Sequence, residues 1–133
     1  MPKAVRFSIA RPVTNQFEYH PFLDQSILIE ATRRAGLAVT AYCGMAVGRV
    51  FSDPTLRQIA AAHGRSIAQV VLRWLVQARQ VVALSCTTNA SRLAENLALF
   101  NFELSPLEMR QIAALAQPNS RIVNPPGLAP EWD

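Results

Sequence analysis

Three short β-prone stretches, each followed by a helical pattern, constrain the fold more than any other feature of this sequence. The predicted strands are Arg11–Tyr19, Leu37–Tyr42 and Val81–Leu84. The last is continuously apolar, which is typical of a parallel strand covered on both faces. Strands that alternate with helices predict a parallel sheet with right-handed crossovers, because parallel neighbours need a long connection between them.

The helices between these strands are predicted from periodicity and from capping signals. Gln25–Arg34 is predicted to be a helix with Ile27, Leu28 and Ala31 on one face. Further helices are predicted to begin at Asp53–Pro54, at the capping box Ser66–Gln69, at Asn89 and at the capping box Ser105–Glu108, and the first of these to end at Gly64.

About three βα units with extra helices are fewer than the eight that close a barrel in about 250 residues. The sequence therefore predicts an α/β fold that is a partial (β/α)8 TIM barrel. It forms one domain over 1–133, in which 1–10 end a preceding helix and 117–133 form an irregular tail. Two edge strands would remain unpaired. An independent three-stranded domain with its own ligand is the alternative.

Composition excludes several classes of function. No apolar run reaches the ~18–20 residues of a membrane span, and the start lacks a signal peptide, so we expect a cytoplasmic protein without a membrane partner. The net charge of +4 comes from dispersed arginines, which does not favour nucleic-acid binding. Two cysteines without metal-ligand spacing predict neither a disulfide framework nor a zinc site.

Ligands of parallel α/β folds gather beyond the carboxyl ends of the strands. After the first strand, Glu18 and His20 are suited to proton transfer or metal binding, but an ordinary polar strand end is favoured over both. After the second, Tyr42 and Gly44 fit a flat ligand ring and a close backbone approach, and an ordinary turn with a core tyrosine fits equally well.

The most informative stretch follows the third strand, where hydroxyl and amide side chains precede a helix start. Free N–H groups at such a start attract anions, and Arg92 and Asn96 share a helix face beside it, which predicts a phosphate site. An ordinary capped helix with a surface arginine is the alternative. Cys43 and Cys86 end neighbouring strands, yet separate packing is favoured over a redox pair or a soft-metal site with His20.

Three blocks carry a resemblance to a known family. Val13–Pro21, with the sequence VTNQFEYHP, is similar to the sixth-strand signature of the aldo-keto reductases. Thr40-Ala41-Tyr42 resembles their seventh strand, and Thr87–Asn96 with Phe100–Ser105 resembles their eighth-strand loop and last helix. The resemblance covers the C-terminal half of the barrel, from the sixth to the eighth βα unit and the tail.

The resemblance implies an NADPH-dependent reduction of aldehydes or ketones and a set of cofactor-binding residues along an extended dinucleotide. Asn15 and Gln16 would hold the carboxamide, and Tyr42 would stack on the nicotinamide. Gly44 and Met45 would follow the pyrophosphate, Thr87 and Arg92 would face the 2′-phosphate, and Glu95 and Asn96 would face the adenosine. The tail with Trp132 would border the substrate mouth.

The family's catalytic aspartate, tyrosine, lysine and histidine belong to the other half of the barrel, so the resemblance implies no catalytic residue here and a fragment inactive alone. It would need a complementing barrel half or a homo-oligomer; a non-catalytic, self-associating module is the alternative. Ser85-Cys86 replaces the usual Pro-Lys or Pro-Arg, and Cys43-Gly44-Met45 replaces Ser-Pro-Leu. Loss of the basic residue allows NAD(H) beside NADP(H), and Arg92 partly compensates for it.

Overall fold

The sheet within the described residues has three parallel strands in the order β1–β2–β3. A computed structural model describes residues 10–78 and 81–127, with strands at Thr14–Glu18 (β1), Ala38–Tyr42 (β2) and Val81–Ala83 (β3). Each lies inside its predicted stretch and is one to four residues shorter. The α/β fold class, a partial barrel of parallel units, is confirmed.

Helices connect and cover these strands. The described α-helices are Ser26–Arg34 (α1), Pro54–His63 (α2), Ile67–Gln77 (α3), Ser91–Leu97 (α4) and Pro106–Ala113 (α5). Shorter 3₁₀ segments occupy Ala46–Ser52 and Ala98–Asn101. None of the described helices is both long and apolar enough to cross a membrane.

The predicted caps form where the local sequence places them. Asp53 accepts a hydrogen bond from the Leu56 N–H at 2.9 Å and precedes Pro54 at the first turn of α2. Gly64 ends that helix with φ +59°, a left-handed conformation that glycine adopts without a side-chain clash. Ser66 and Ser105 both form complete capping boxes, which confirms the predicted starts of α3 and α5.

The two faces of the sheet differ in burial. Register pairs Phe17 with Ala41 and Val39 with Val81, and these buried residues share the face that packs under the helices. Val82 lies on the other face and is 51% exposed. The prediction that β3 is covered on both faces is therefore wrong for the described chain, because three strands do not enclose the face that would line a barrel interior.

The buried residues of α1 are not the three that were predicted to share one of its faces. Ile27 is 82% exposed, whereas Ile29 and Thr32 are buried. Thr32 is accommodated because its hydroxyl donates to the Leu28 carbonyl at 2.7 Å and accepts from the Asn15 amide at 3.0 Å. A threonine whose hydroxyl is satisfied in this way can take a core position that the apolar pattern does not predict.

The C-terminal segment, defined here as residues 117–127, has no regular helix or strand. It is tied back at its start by the Gln117 N–H, which donates to the Phe22 carbonyl at 3.0 Å. The predicted tail residue Trp132 lies outside the described residues, and of the predicted helix end at 1–10 only Ala10 is described.

Candidate functional site

Side chains at the carboxyl ends of β1 and β2 are divided between the two faces of the sheet. Gln16 pairs with Thr40 in register, Thr40 pairs with Val82, and Tyr42 lies two residues beyond Thr40. These residues therefore share the exposed face of the sheet on which Val82 lies, here called the open face. Asn15 belongs to the opposite face, where its amide donates to Thr32. The structure therefore keeps Gln16 and Tyr42 together and separates Asn15 from them, contrary to the predicted pairing of Asn15 with Gln16.

The loop after β2 has an unusual backbone. Cys43, Ala46 and Val47 have φ values of +60°, +48° and +52°, a region that costs a β-branched residue such as Val47 the most. A Cβ on Gly44 would lie 2.8 Å from Leu75 Cδ1, so close packing against α3 explains this glycine. The Met45 side chain packs against the core. Any contact of Gly44 and Met45 with a ligand would therefore be through their backbone.

The loop after β3 satisfies its own hydrogen bonds. Asn89 Oδ1 accepts from the Ser91 N–H at 3.0 Å and from the Ser91 hydroxyl at 2.7 Å, while Thr87 Oγ1 accepts from the Asn89 N–H. The Arg92 N–H donates to the Asn89 carbonyl. α4 begins at Ser91 and not at Asn89, and the N–H groups of Asn89, Ser91 and Arg92 are hydrogen-bonded within the chain, so the free N–H groups expected for an anion are not found among these three.

The Arg92 side chain, in contrast, stands between two concavities. The loop concavity is lined by Cys86, Thr87, Thr88 and Arg92. The helix concavity, of about 380 Å³, is lined by Phe51, Ser66, Ala68, Arg92, Glu95 and Asn96. Within the described chain the exposed Arg92 guanidinium has no hydrogen-bond or ion-pair partner. The predicted residues Thr87, Arg92, Glu95 and Asn96 are thus brought together.

Phe51 and Ser66 were not identified from the sequence as site residues. Phe51 is 48% exposed at the end of the first 3₁₀ segment and forms an aromatic wall of the helix concavity. Gln69 of α3 links α3 to α4 beside this concavity, because its amide donates to the Glu95 carbonyl of α4 at 2.9 Å. The available sequence signal was a phenylalanine two residues before the helix cap at Asp53. Its approach to α4 depends on tertiary packing and has no signal in the local sequence.

Glu18 and His20 form a buried pair rather than an ordinary polar strand end. Both are fully buried, and His20 Nε2 lies 2.9 Å from Glu18 Oε1. Burial lowers the pKa of His20, although the Glu18 hydrogen bond and charge act in the opposite direction. The described residues contain no group of three potential metal-ligating side chains, so this pair lacks the partners of a metal site.

The cysteines are both free thiols. Cys43 is half-buried and Cys86 is exposed in the loop concavity. Burial and the nearby Glu18 charge raise the pKa of the Cys43 thiol, with a backbone hydrogen bond at Val47 opposing them. A raised pKa disfavours the reactive thiolate of Cys43.

Acidification should destabilise the fold through His20. Its folded pKa lies below the ordinary value of 6.5, so below pH 6.5 the unfolded chain binds a proton that the folded chain does not. Stability is therefore complete above about pH 6.5 and declines as pH falls toward the folded pKa. We expect the urea midpoint to drop between pH 7 and pH 5, and His20→Gln to flatten this decline.

His63, the other histidine of the chain, supplies the matched control. His63→Gln should retain the decline, because the buried Glu18–His20 pair is intact in that variant. A wild-type midpoint that stays constant or rises on acidification would contradict the prediction.

The chain is similar to proteins of known sequence and structure. A family model described as "Aldo/keto reductase family" matches residues 1–117. Methylglyoxal reductase DkgB of Yersinia pestis is 39% identical over 120 residues, which are 90% of this chain and 44% of that protein. A further relative, an aldo-keto reductase of Mycolicibacterium smegmatis, is 42% identical over 104 residues, which are 78% of this chain and 36% of that protein.

Solved structures agree with the sequence matches. A structure with the provisional description 2,5-diketo-D-gluconic acid reductase B superposes with a TM-score of 0.94 at 52% identity, over 99% of this chain and 47% of that one. A Bombyx mori aldo-keto reductase in complex with NADP superposes with a TM-score of 0.77 at 33% identity, over 86% and 40%. The chain therefore spans less than half the length of these relatives.

Proposed function

This chain belongs to the aldo/keto reductase family, and we propose on that premise that it supplies the NADP(H)-binding part of a reductase barrel. Residues 1–133 would form one partial-barrel domain made of the sixth to eighth βα units and the tail. The order of the three sequence blocks, and not the family match, is the basis for assigning the chain to this half.

The observation that carries the proposal is the position of Arg92 in both concavities. A guanidinium without a protein partner is suited to a phosphate, to which it donates charge-assisted hydrogen bonds. The Thr87 hydroxyl lies in the same loop concavity. We assign the 2′-phosphate of NADP(H) to this concavity, and this favours NADP(H) over NAD(H) even though Cys86 replaces the usual basic residue.

The adenosine would occupy the helix concavity next to this phosphate. Phe51 offers an aromatic surface for the base, and Glu95 and Asn96 offer hydrogen-bond partners for the base and ribose. The NADP complex of the Bombyx mori relative supports a dinucleotide ligand. The concavity fits an adenosine in its chemistry, because it combines an aromatic wall, an amide and a carboxylate.

The nicotinamide end would lie on the open face of the sheet. Gln16 is exposed there and Tyr42 is half-exposed, so a carboxamide and a flat ring would find an amide and an aromatic side chain. Asn15 is left out of this proposal because its amide is bound to Thr32. The backbone at Gly44 and Met45 would follow the pyrophosphate between the two ends.

Aldehyde or ketone reduction would require the rest of the barrel. Protonation of a carbonyl oxygen in this family uses a tyrosine with a lysine partner, and the resemblance assigns both to the other half of the barrel. We therefore propose that the chain alone binds nucleotide without catalysing reduction, and that a complementing barrel half supplies the catalytic residues.

Titration calorimetry with adenosine 2′,5′-bisphosphate tests this proposal without requiring activity. We expect saturable binding with a dissociation constant below about 1 mM, and weaker binding of adenosine 5′-monophosphate, which lacks the 2′-phosphate. Equal affinity for the two ligands would contradict the phosphate assignment. Absence of binding at millimolar ligand would contradict nucleotide binding by the chain.

A second candidate function is that of a self-associating, non-catalytic module. β3 is an edge strand within the described sheet. A patch beside it, called the β3 patch, is formed by Leu93, Leu97 and Phe100, which line one groove with Ala83. Leu97 and Phe100 are 70% and 66% exposed. An exposed edge beside a contiguous apolar patch is typical of an association surface.

Sedimentation velocity distinguishes this candidate. If the β3 patch mediates association, the wild-type chain should sediment as a dimer or larger species, and Leu97→Lys should shift it toward the monomer by placing a charge in the patch. Leu107→Lys makes the same change at an exposed leucine of α5 and should leave the species unchanged. A concentration-independent monomer would contradict self-association.

A further inference from the structure

The main chain of the C-terminal segment is bound by one buried carboxylate. Glu18 Oε1 accepts from the Ile122 N–H and Glu18 Oε2 accepts from the Val123 N–H, each at 2.7 Å. The bonds join residues 104 and 105 positions apart in the sequence. Two short bonds from consecutive N–H groups to the two oxygens of one carboxylate fix both the position and the direction of the segment.

His20 orients that carboxylate from the side of the sheet. The Phe22 N–H donates to His20 Nδ1 at 3.3 Å, so the proton of the neutral ring belongs on Nε2, from which it is donated to Glu18 Oε1. Gln25 also donates to the Glu18 carbonyl at 3.0 Å. Glu18 is thus held by two contacts that do not involve the C-terminal segment.

The position of Glu18 links this arrangement to the open face. Glu18 pairs with Tyr42 in register, so it belongs to the face on which Gln16 and Tyr42 lie. Ile122 packs against the core, and the segment is tied once more where Gln117 binds Phe22. The C-terminal segment therefore crosses the carboxyl end of β1, at the residue that is the register neighbour of Tyr42.

We propose that Glu18 is a positioning residue for the nicotinamide end of the site. By holding the main chain at Ile122 and Val123, it keeps the C-terminal segment in place as a wall beside Tyr42. This inference rests on the proposed function, because the wall matters only where a nicotinamide ring is to be bound. The hydrogen bonds that carry it are independent of any ligand.

Proline at residue 123 removes one donor of this arrangement without altering the buried carboxylate. Val123 is exposed, so Val123→Pro deletes the N–H at little cost to the core, and Val123→Ala deletes the same side chain while keeping the N–H. Amide hydrogen exchange of the full chain should show Ile122 protection reduced by about tenfold or more in the proline variant and unchanged in the alanine variant. Amides of α3 should exchange equally in all three proteins.

Nucleotide binding then separates positioning from general folding. We expect Val123→Pro to weaken NADPH binding severalfold and to leave adenosine 2′,5′-bisphosphate binding unchanged, because only NADPH reaches Tyr42. Glu18→Gln should give the same pattern, with Glu30→Gln, an exposed glutamate on α1, as its control. If Glu18→Gln does not fold, the comparison of Val123→Pro with Val123→Ala tests the positioning role by itself.

Three results would overturn the positioning role. These are rapid exchange of the Ile122 and Val123 amides in the wild type, NADPH affinity that is unchanged after the segment is released, and an equal loss of affinity for both nucleotides. Failure of the wild type to bind adenosine 2′,5′-bisphosphate would contradict the proposed function instead, and the exchange data would still report on Glu18.

Discussion

Replacing Glu18 with alanine should lower the free energy of unfolding by about 3 kcal/mol, the value expected when several bonds to a buried charged acceptor are lost. The change removes the acceptor of the Ile122 and Val123 N–H groups and of His20 Nε2 together. It also leaves a cavity at a fully buried position. Urea denaturation at pH 7, where His20 is neutral, measures the effect.

Variants of intermediate chemistry sharpen the interpretation. Glu18→Gln keeps the shape of the side chain and one acceptor oxygen. Its free energy of unfolding should therefore lie between those of the wild type and Glu18→Ala. Glu103→Ala removes an exposed carboxylate and should change the midpoint little. A loss below about 1 kcal/mol for Glu18→Ala would mean that the neighbouring N–H groups find other acceptors or water.

Helix starts could be predicted from the sequence because their signals lie within one turn. The serine and the acidic or amide residue of each capping box are three positions apart, and each satisfies the other's backbone N–H. The sequence signals for the capping boxes of Ser66 and Ser105 are therefore complete within a local window. The same holds for Asp53 with Pro54.

Burial was predicted less well, because it depends on distant partners. Ile27 shares the predicted apolar face of α1 yet is exposed, whereas Thr32 is buried, where its hydroxyl accepts a hydrogen bond from Asn15 of the first strand. Val82 was expected to be covered, but its face is open over three strands. Neither partner is visible in a local window of sequence.

In the candidate site, too, local features could be predicted from the sequence and long-range contacts could not. The region around Thr87 and Arg92 was predicted from its residue types, and the structure brings these two side chains into one concavity. The N–H groups of this turn that were expected to be free are hydrogen-bonded within the chain, because Asn89 caps the turn itself. The contact of Glu18 with Ile122 spans 104 residues and had no local signal. The spacing of residue types thus predicted the region of the site, whereas tertiary packing determines which side chains and N–H groups can bind a ligand.

Arg92→Ala should weaken the binding of adenosine 2′,5′-bisphosphate by about 1–3 kcal/mol, the value of charge-assisted bonds to a phosphate. The guanidinium lines both concavities and has no ion-pair partner in the described chain. Its removal should therefore change the stability of the fold little and lower the affinity for the ligand. Because the effect acts through the 2′-phosphate, adenosine 5′-monophosphate should bind the variant and the wild type similarly. Calorimetry with both ligands measures this difference directly.

Loss of positive charge must be separated from loss of a specific contact. Arg110→Ala makes the same change on the exposed surface of α5 and should leave both affinities unchanged at moderate ionic strength, because salt screens distant surface charges. Arg92→Lys keeps the charge and loses the planar pair of donors, so its affinity should fall between those of the wild type and Arg92→Ala. Unchanged affinity in Arg92→Ala would mean that the loop concavity is not the phosphate site.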